Sequence, residues 1–343
     1  MPTFTINNVR FSGLISCVPL KKINNLNDCS LDLRTYREKV CKSTGIYERR
    51  ICPEGVCFSD LAKIAAEKLI HKLDWQTDEV EALIIVSQSP DYPTPSTAII
   101  LQDKLGLSTK TIAYDVNLGC SGYPFGLHLL ASLVTTGAVK KGVVLVGDKS
   151  ASLHNPLFSD AATATALEYD ENAPPCYFDL NSDGSGHKNI IVPAGAHREP
   201  LSFHHLIPTI QPDGSTKRYE NFILNGPAVY KFAVHSAPES IKKVIQKSGK
   251  NIEKVDYIFL HQANKLINKT IADKLQLSET KFPSSLREFG NTSGASIPLT
   301  MTTQVDLNHK SADIIMCGYG VGLSWGSCMM NINNAIFPDL IEV

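Results

Sequence analysis

The stretch DVNLGCSGYPFG, residues 115–126, decides how the rest of the chain is read. A short apolar run, KTIAYDVNL (110–118), leads into it and reads as a strand. Gly119 follows, then Cys120, Ser121 and Gly122. Beyond them Phe125, Leu129, Leu130 and Leu133 recur at helical spacing. A cysteine therefore stands at the mouth of a helix, between glycines. Two readings compete. Cysteine is a small apolar residue, often buried and inert. A helix N-terminus, however, carries partial positive charge and lowers a thiol pKa, which makes a nucleophile. The stretch alone leaves both open.

Outward from it, four segments read as buried strands: 81–88 (EALIIVSQ), 142–148 (GVVLVGD), 256–262 (DYIFLHQ) and 313–320 (DIIMCGYG). Continuous apolar strands alternating with helical stretches imply a sheet covered on both faces. Residues 58–73 and 227–248 carry helix periodicity, and Pro238 is expected to interrupt or kink the second helix.

The order of signals repeats. Val255 stands 175 residues after Val80, Asn291 stands 171 after Cys120, and Asp313 stands 171 after Gly142. Each series runs strand, glycine-flanked polar turn opening a helix, strand. Near-constant offsets imply two duplicated halves, residues 1–175 carrying Cys120 and residues 176–343 carrying His261 and Asn291. In a pseudo-twofold arrangement the corresponding turns meet. Cys120, His261 and Asn291 then converge at the carboxyl ends of strands, where α/β sheets bind ligands.

Composition narrows the function class. The chain has 343 residues, 43% hydrophobic and 20% charged, with a net charge of −1, which argues against a dedicated nucleic-acid or membrane-surface binder. No apolar run approaches the roughly 20 residues of a membrane span. Nine cysteines, an odd number in a chain too large to need staples, point to a reducing cytoplasm. Cys52 and Cys57 are not answered by a second pair at metal-ligand spacing, so no metal is expected. Nor does GYGVGLSWG (318–326) read as a dinucleotide loop. A strand-like run follows it where such a loop opens a helix.

Six blocks in chain order carry a resemblance: TGIYERR (44–50), DVNLGCSG (115–122), LNGPAVYKFAV (224–234), HQAN (261–264), GNTSGASIP (290–298) and GYGVGLSWGS (318–327). Together they resemble the β-ketoacyl-acyl-carrier-protein synthase III family of the thiolase-like superfamily. The resemblance implies a five-layer αβαβα fold of two duplicated halves, a homodimer and no cofactor. It implies that Cys120 takes an acyl group from a thioester, and that the acyl-enzyme condenses with malonyl on acyl carrier protein as carbon dioxide leaves. His261 and Asn291 then donate to the enolate oxygen, while the backbone N–H groups of Cys120 and Val321 form an oxyanion hole. Many members have glycine where Val321 stands, which narrows the backbone there.

The resemblance also places Thr94 and Tyr319 in the substrate pocket. Thr94 stands where many members have phenylalanine. Lys39 and Ser43 occupy the places of a tryptophan and an arginine that hold the adenine of coenzyme A. That loss favours primer delivery by acyl carrier protein, an acidic partner for a basic face of Lys265, Lys269, Lys274 and Lys231. Two other functions share these blocks. One is acyl transfer from Cys120 to a hydroxyl or amine without decarboxylation. The other is a non-catalytic partner subunit, which the presence of Cys120 disfavours.

Overall fold

The computed structural model describes residues 3–29, 31–152, 155–207, 209–210, 216–217 and 222–343. Two large mixed sheets organise them. The first runs Ile341–Glu342, Val9–Val18, Ala161–Tyr169, Lys141–Asp148, Ala82–Val86, Ile112–Val116. The second runs Phe4–Ile6, Cys176–Ser182, Ser324–Asn333, Ser311–Gly320, Tyr257–Leu260. The quartet Val9–Val18 to Ala82–Val86 matches the quartet Cys176–Ser182 to Tyr257–Leu260 in order and sense. In each quartet the last pair is parallel and the other two pairs are antiparallel. The sequence repeat is thus a repeat of sheet topology.

Helices fill three layers. Phe58–Lys72 covers the outer face of the first sheet, and Gly226–Ser248 with Lys265–Leu275 covers the outer face of the second. Gly122–Val134 and Ser296–Thr303 lie between the sheets. The result is the expected five-layer αβαβα thiolase-like arrangement. It explains the unbroken apolar strands, since successive side chains point to opposite faces and both faces are buried. Ala82, Ile84 and Val86 join the central core with Leu127, Ile297 and Met316. Leu83 and Ile85 join Phe58 and Leu61 outside.

The helix Gly122–Val134 sits very close to the first sheet. A Cβ on Gly122 would lie 2.5 Å from Val86 Cγ1, and one on Gly126 would lie 2.7 Å from Val86 Cγ2. Only glycine at this i, i+4 pair allows the approach, and the approach sets the depth of the helix mouth that carries Cys120.

Two expectations change. Pro238 neither interrupts nor ends its helix, which is assigned continuously from Gly226 to Ser248. Proline removes the N–H that the carbonyl four residues earlier would accept. That carbonyl belongs to Val234, and it accepts instead from Lys274 Nζ at 2.9 Å. The division near residue 175 does not describe the terminal strands. Phe4–Ile6 pairs with Cys176–Phe178 in the second sheet, and Ile341–Glu342 pairs with Cys17–Val18 in the first. Strands of two or three residues carry too little periodicity to announce a sheet.

Candidate active site

The turn before Gly122–Val134 is closed by the Gly122 N–H donating to the Gly119 carbonyl at 2.7 Å. The second half approaches it along the strand Ser311–Gly320. A Cβ on Gly318 would lie 2.9 Å from Ser121 Cα, and one on Gly320 would lie 2.5 Å from Cys120 Cβ. These glycines let backbone pass directly over the thiol. The N–H of Val321, that of Cys120 itself and the Ser293 side chain are the groups that favour the charged form of the Cys120 sulfur.

The thiol is nonetheless not ready to ionise on its own. Burial, and then the negative charge of Asp148, push it up to about 11 against those three donors. The expected lowering by the helix N-terminus is reversed in this geometry, because desolvation of a thiolate outweighs a partial charge.

His261 is 2% exposed and ends the strand Tyr257–Leu260. Its Nδ1 lies 2.7 Å from Ser296 Oγ. That Oγ also accepts from the Gln262 N–H at 3.2 Å. The serine hydroxyl proton is thereby directed to Nδ1, which leaves Nε2 as the protonated nitrogen. Burial pulls the imidazole down to about 3, so it is an uncharged donor at neutral pH. Asn291 Oδ1 accepts from the Ser293 N–H at 2.9 Å, which turns its Nδ2 outward as a donor.

Ser293 sits between Asn291 and the turn of Cys120: its N–H donates to Asn291 Oδ1, and its Oγ would lie 3.1 Å from a Cβ on Gly119. It holds a left-handed backbone, φ 54°. The turn Ser293–Ala295 thus lies against the turn that carries Cys120 and beside Asn291, and the helix it opens holds His261 through Ser296. The available signal was the hydroxyl-rich GNTSGAS, where Ser293 and Ser296 both prove to be structural partners of the site.

Comparison with known proteins bears on this cluster. Residues 114–184 match the family model described as 3-oxoacyl-[acyl-carrier-protein] synthase III, and residues 245–332 match the model of its C-terminal region. Over 95% of its length the chain is 35% identical to a Clostridium acetobutylicum protein named β-ketoacyl-[acyl-carrier-protein] synthase III, 99% of which is covered. It is 32% identical over 98% of its length to a putative 3-oxoacyl-[acyl-carrier-protein] synthase 3 of Campylobacter jejuni, 97% of which is covered. The chain belongs to the β-ketoacyl-acyl-carrier-protein synthase III family. A solved 3-oxoacyl-(acyl-carrier-protein) synthase of Burkholderia xenovorans superposes with a TM-score of 0.91 at 33% identity, covering 100% of this chain and 99% of that one. OleA of Xanthomonas campestris, 18% identical with a TM-score of 0.78, shares the fold. This member of the synthase III family is an acyl-transferring enzyme.

The remaining expected site residues of this synthase III member fall in different places. Tyr319 is 1% exposed and does not line an open pocket. Its hydroxyl lies 2.8 Å from Asn268 Oδ1 and 3.1 Å from the His261 carbonyl, which share its one proton, and its ring meets the His261 ring edge-on. It holds His261 in place. Thr94 lies on an exposed loop before the helix Thr97–Lys104. Among the lysines, Lys274 is fixed to Val234, and Lys269 is engaged by Glu279 at 2.8 Å and Asp273 at 3.6 Å. Lys265 and Lys231 are exposed. Lys265 Cβ would lie 3.1 Å from a Cβ on Gly45, at the end of the helix Arg34–Thr44, which carries exposed Lys39 and Lys42. Among the described residues no cluster of three or more His, Cys, Asp or Glu side chains could hold a metal, and no helix is long and apolar enough to cross a membrane.

Proposed function

We propose that this chain catalyses decarboxylative condensation of an acyl primer with malonyl-acyl carrier protein. The observation that supports the reading is that Gly320 passes directly over Cys120, while Asn291 and an uncharged His261 are each held by a hydrogen bond on the turn and helix packed against the Cys120 turn. Cys120 attacks the primer thioester. The Cys120 and Val321 N–H groups stabilise the tetrahedral oxyanion, and the primer becomes a thioester of Cys120. Malonyl then loses carbon dioxide. His261 Nε2–H and Asn291 Nδ2–H stabilise the enolate oxygen, and its carbon attacks the acyl-cysteine. An uncharged imidazole suits this step because it donates without first taking up a proton.

Carrier docking falls to a basic face of Lys265 and Lys231 with Lys39 and Lys42, since Lys269 is already paired with carboxylates and Lys274 is fixed. A homodimer is supported by the strand Ile112–Val116. It forms a sheet edge with Ile112 42% exposed, the segment with exposed Tyr92 (59%) and Ile99 (53%) is tied to Asp115 of the same strand through the N–H groups of Thr97 and Ala98, and an open apolar edge calls for a partner strand. Thr94, exposed in this same region, then serves the pocket of the second subunit. Cysteines without a disulfide fit a reducing cytoplasm.

Intact-protein mass spectrometry after incubation with one acyl group on carrier protein and, separately, on coenzyme A tests the reading. One acyl mass maps to the peptide holding Cys120, is absent from Cys120→Ala, and forms faster from carrier protein. Acylation of Cys120→Ala at the site refutes the nucleophile. Efficient transfer to an amine or hydroxyl with no β-ketoacyl product refutes condensation.

A further inference from the structure

Ser121 follows the nucleophile and stands at the N-cap of Gly122–Val134, yet its side chain makes no capping hydrogen bond to that helix. A serine there ordinarily accepts from an N–H of the first turn. The Ser121 Oγ lies instead 2.6 Å from Ser324 Oγ, across the boundary between the halves. Ser324 Oγ in turn donates to the Val321 carbonyl at 2.6 Å. A hydroxyl has one proton, so the Ser324 proton goes to Val321 and Ser121 is the donor of the serine pair. The bonds run one way, from Ser121 through Ser324 to Val321. Both serines are buried.

We propose that Ser121 and Ser324 are positioning residues for the acylation of Cys120: their hydroxyls clamp the Val321 turn over the thiol and hold the Val321 N–H where the tetrahedral oxyanion forms. This rests on the reading of the Cys120 and Val321 N–H groups as the oxyanion hole. Neither serine touches the substrate. The clamp ties the residue next to one N–H donor to the residue that carries the other. Two hydrogen bonds between the halves therefore set the spacing of the two donors.

The turn needs such a support. Gly320 pairs with Ser324 in the antiparallel ladder, which leaves Val321, Gly322 and Leu323 as the turn between them. Leu323 is held from the far side, where its N–H donates to the Asp183 carbonyl at 2.9 Å and its carbonyl accepts from the Asp183 N–H at 2.8 Å. Gly322 is exposed and Val321 half-buried, so packing alone does not fix the tip. At Gly322 the backbone has φ 140°, and a Cβ there would lie 2.8 Å from Ser324 N and 3.1 Å from Ser324 Oγ. Only glycine lets the turn fold back this tightly on the serine that holds it. Rigid placement matters because an oxyanion hole works through donors that are already aimed when charge develops. A misplacement of about 1 Å in a reacting geometry costs on the order of 10² fold.

The test compares two reactions of one sulfur. Acylation of Cys120 passes through an oxyanion. Alkylation by iodoacetamide forms an S–C bond as iodide leaves a saturated carbon, and no oxyanion arises. Single-turnover acylation by acetyl-, butyryl- and octanoyl-acyl carrier protein is followed by intact-protein mass spectrometry, and the carrier that acylates the wild type fastest is used for the variants. Ser324→Ala slows acylation about tenfold at saturating carrier, less than the roughly 10²–10³ fold of losing a donor outright. Its half-saturating carrier concentration and its alkylation rate stay within about twofold of wild type, as for an interaction made only in the transition state. Ser324→Thr keeps the hydroxyl and recovers most of the rate. Ser121→Ala slows acylation about threefold, and adds nothing in the Ser324→Ala background because it acts through Ser324. Should Ser324→Ala fail to fold, Ser121→Ala decides by the same split between acylation and alkylation. Acylation and alkylation that fall together mean a general disturbance around the thiol and overturn the clamp. Wild-type acylation rates in both alanine variants overturn it too, and leave the reading of Cys120 intact. A wild type that is alkylated at Cys120 but acylated by none of the three carriers overturns that reading and the clamp with it.

Discussion

The two halves place a turn and a helix at the same point of the same topology, and they equip them differently. In the first half, Gly122 and Gly126 let the helix press onto Val86, and what faces the site is a sulfur and backbone N–H groups. In the second half, the short turn Ser293–Ala295 leads into Ser296–Thr303, and what faces the site is a set of side-chain hydroxyl, amide and imidazole groups. A duplicated scaffold fixes where a site forms. The chemistry then depends on which half keeps its helix mouth bare and which half fills it with donors.

The sharpest way to break this contrast is to remove the second half's donors alone. His261→Ala and Asn291→Ala each lose malonyl decarboxylation by roughly 10²–10³ fold, about 3–4 kcal/mol of transition-state stabilisation, yet retain self-acylation of Cys120. Release of labelled carbon dioxide measured beside acyl-enzyme mass separates the half-reactions. Equal loss of both would mean that the halves do not divide the work.

The bare helix mouth is tested by filling it. Gly126→Ala puts a methyl group within 2.7 Å of Val86 and 2.9 Å of Val144. It destabilises the fold by about 1–3 kcal/mol in urea unfolding. Val86→Ala in the same chain recovers part of that.

Acid pH separates the halves by sign. The pKa of His261 falls to about 3 in the native state, from an unfolded value near 6.5. Below pH 6.5 the unfolded chain binds a proton that the native chain does not, so this contribution is fully present above pH 6.5 and is lost as pH falls toward 3. Between pH 6.5 and pH 5 the loss is about 2 kcal/mol at roughly 1.4 kcal/mol per unit. Asp148 acts in the opposite sense, because its raised pKa makes the native state the better proton binder on the acid side. His261→Gln therefore flattens the acid limb of the stability curve, and an unchanged limb would contradict the buried neutral imidazole.

The smallest effect lies at Pro238. Lys274→Met costs about 1 kcal/mol by leaving the Val234 carbonyl without its donor. In a Pro238→Ala background the helix supplies its own N–H again, and the cost of Lys274→Met shrinks. A double-mutant cycle reads the coupling directly.

Much of this arrangement was legible in the residues. The strand runs, the repeat offsets and Cys120 between glycines led to five layers and to three convergent residues. The contacts of Ser296, Asp148 and Lys274 were not, for a shared reason. Each bonds a partner at least 35 residues away, and its own neighbourhood reads as an ordinary turn, strand end or charged helix face. The thiol's direction was missed likewise. Helix position is local information, whereas burial and the charge of Asp148 arise only after folding.

The crossed terminal strands bear on how the molecule is made. The first sheet ends in Ile341–Glu342, and the Glu342 carboxylate closes on Arg50. That edge waits, during synthesis, for residues more than 300 positions after Cys17 and Val18. Residues Phe4–Ile6, made early, wait for Cys176–Phe178. Each nascent half is therefore held incomplete by the other, and contacts of such long sequence separation form slowly. An interval of unfinished edges during translation is built into this topology, and it is when a growing chain most needs shielding from its neighbours.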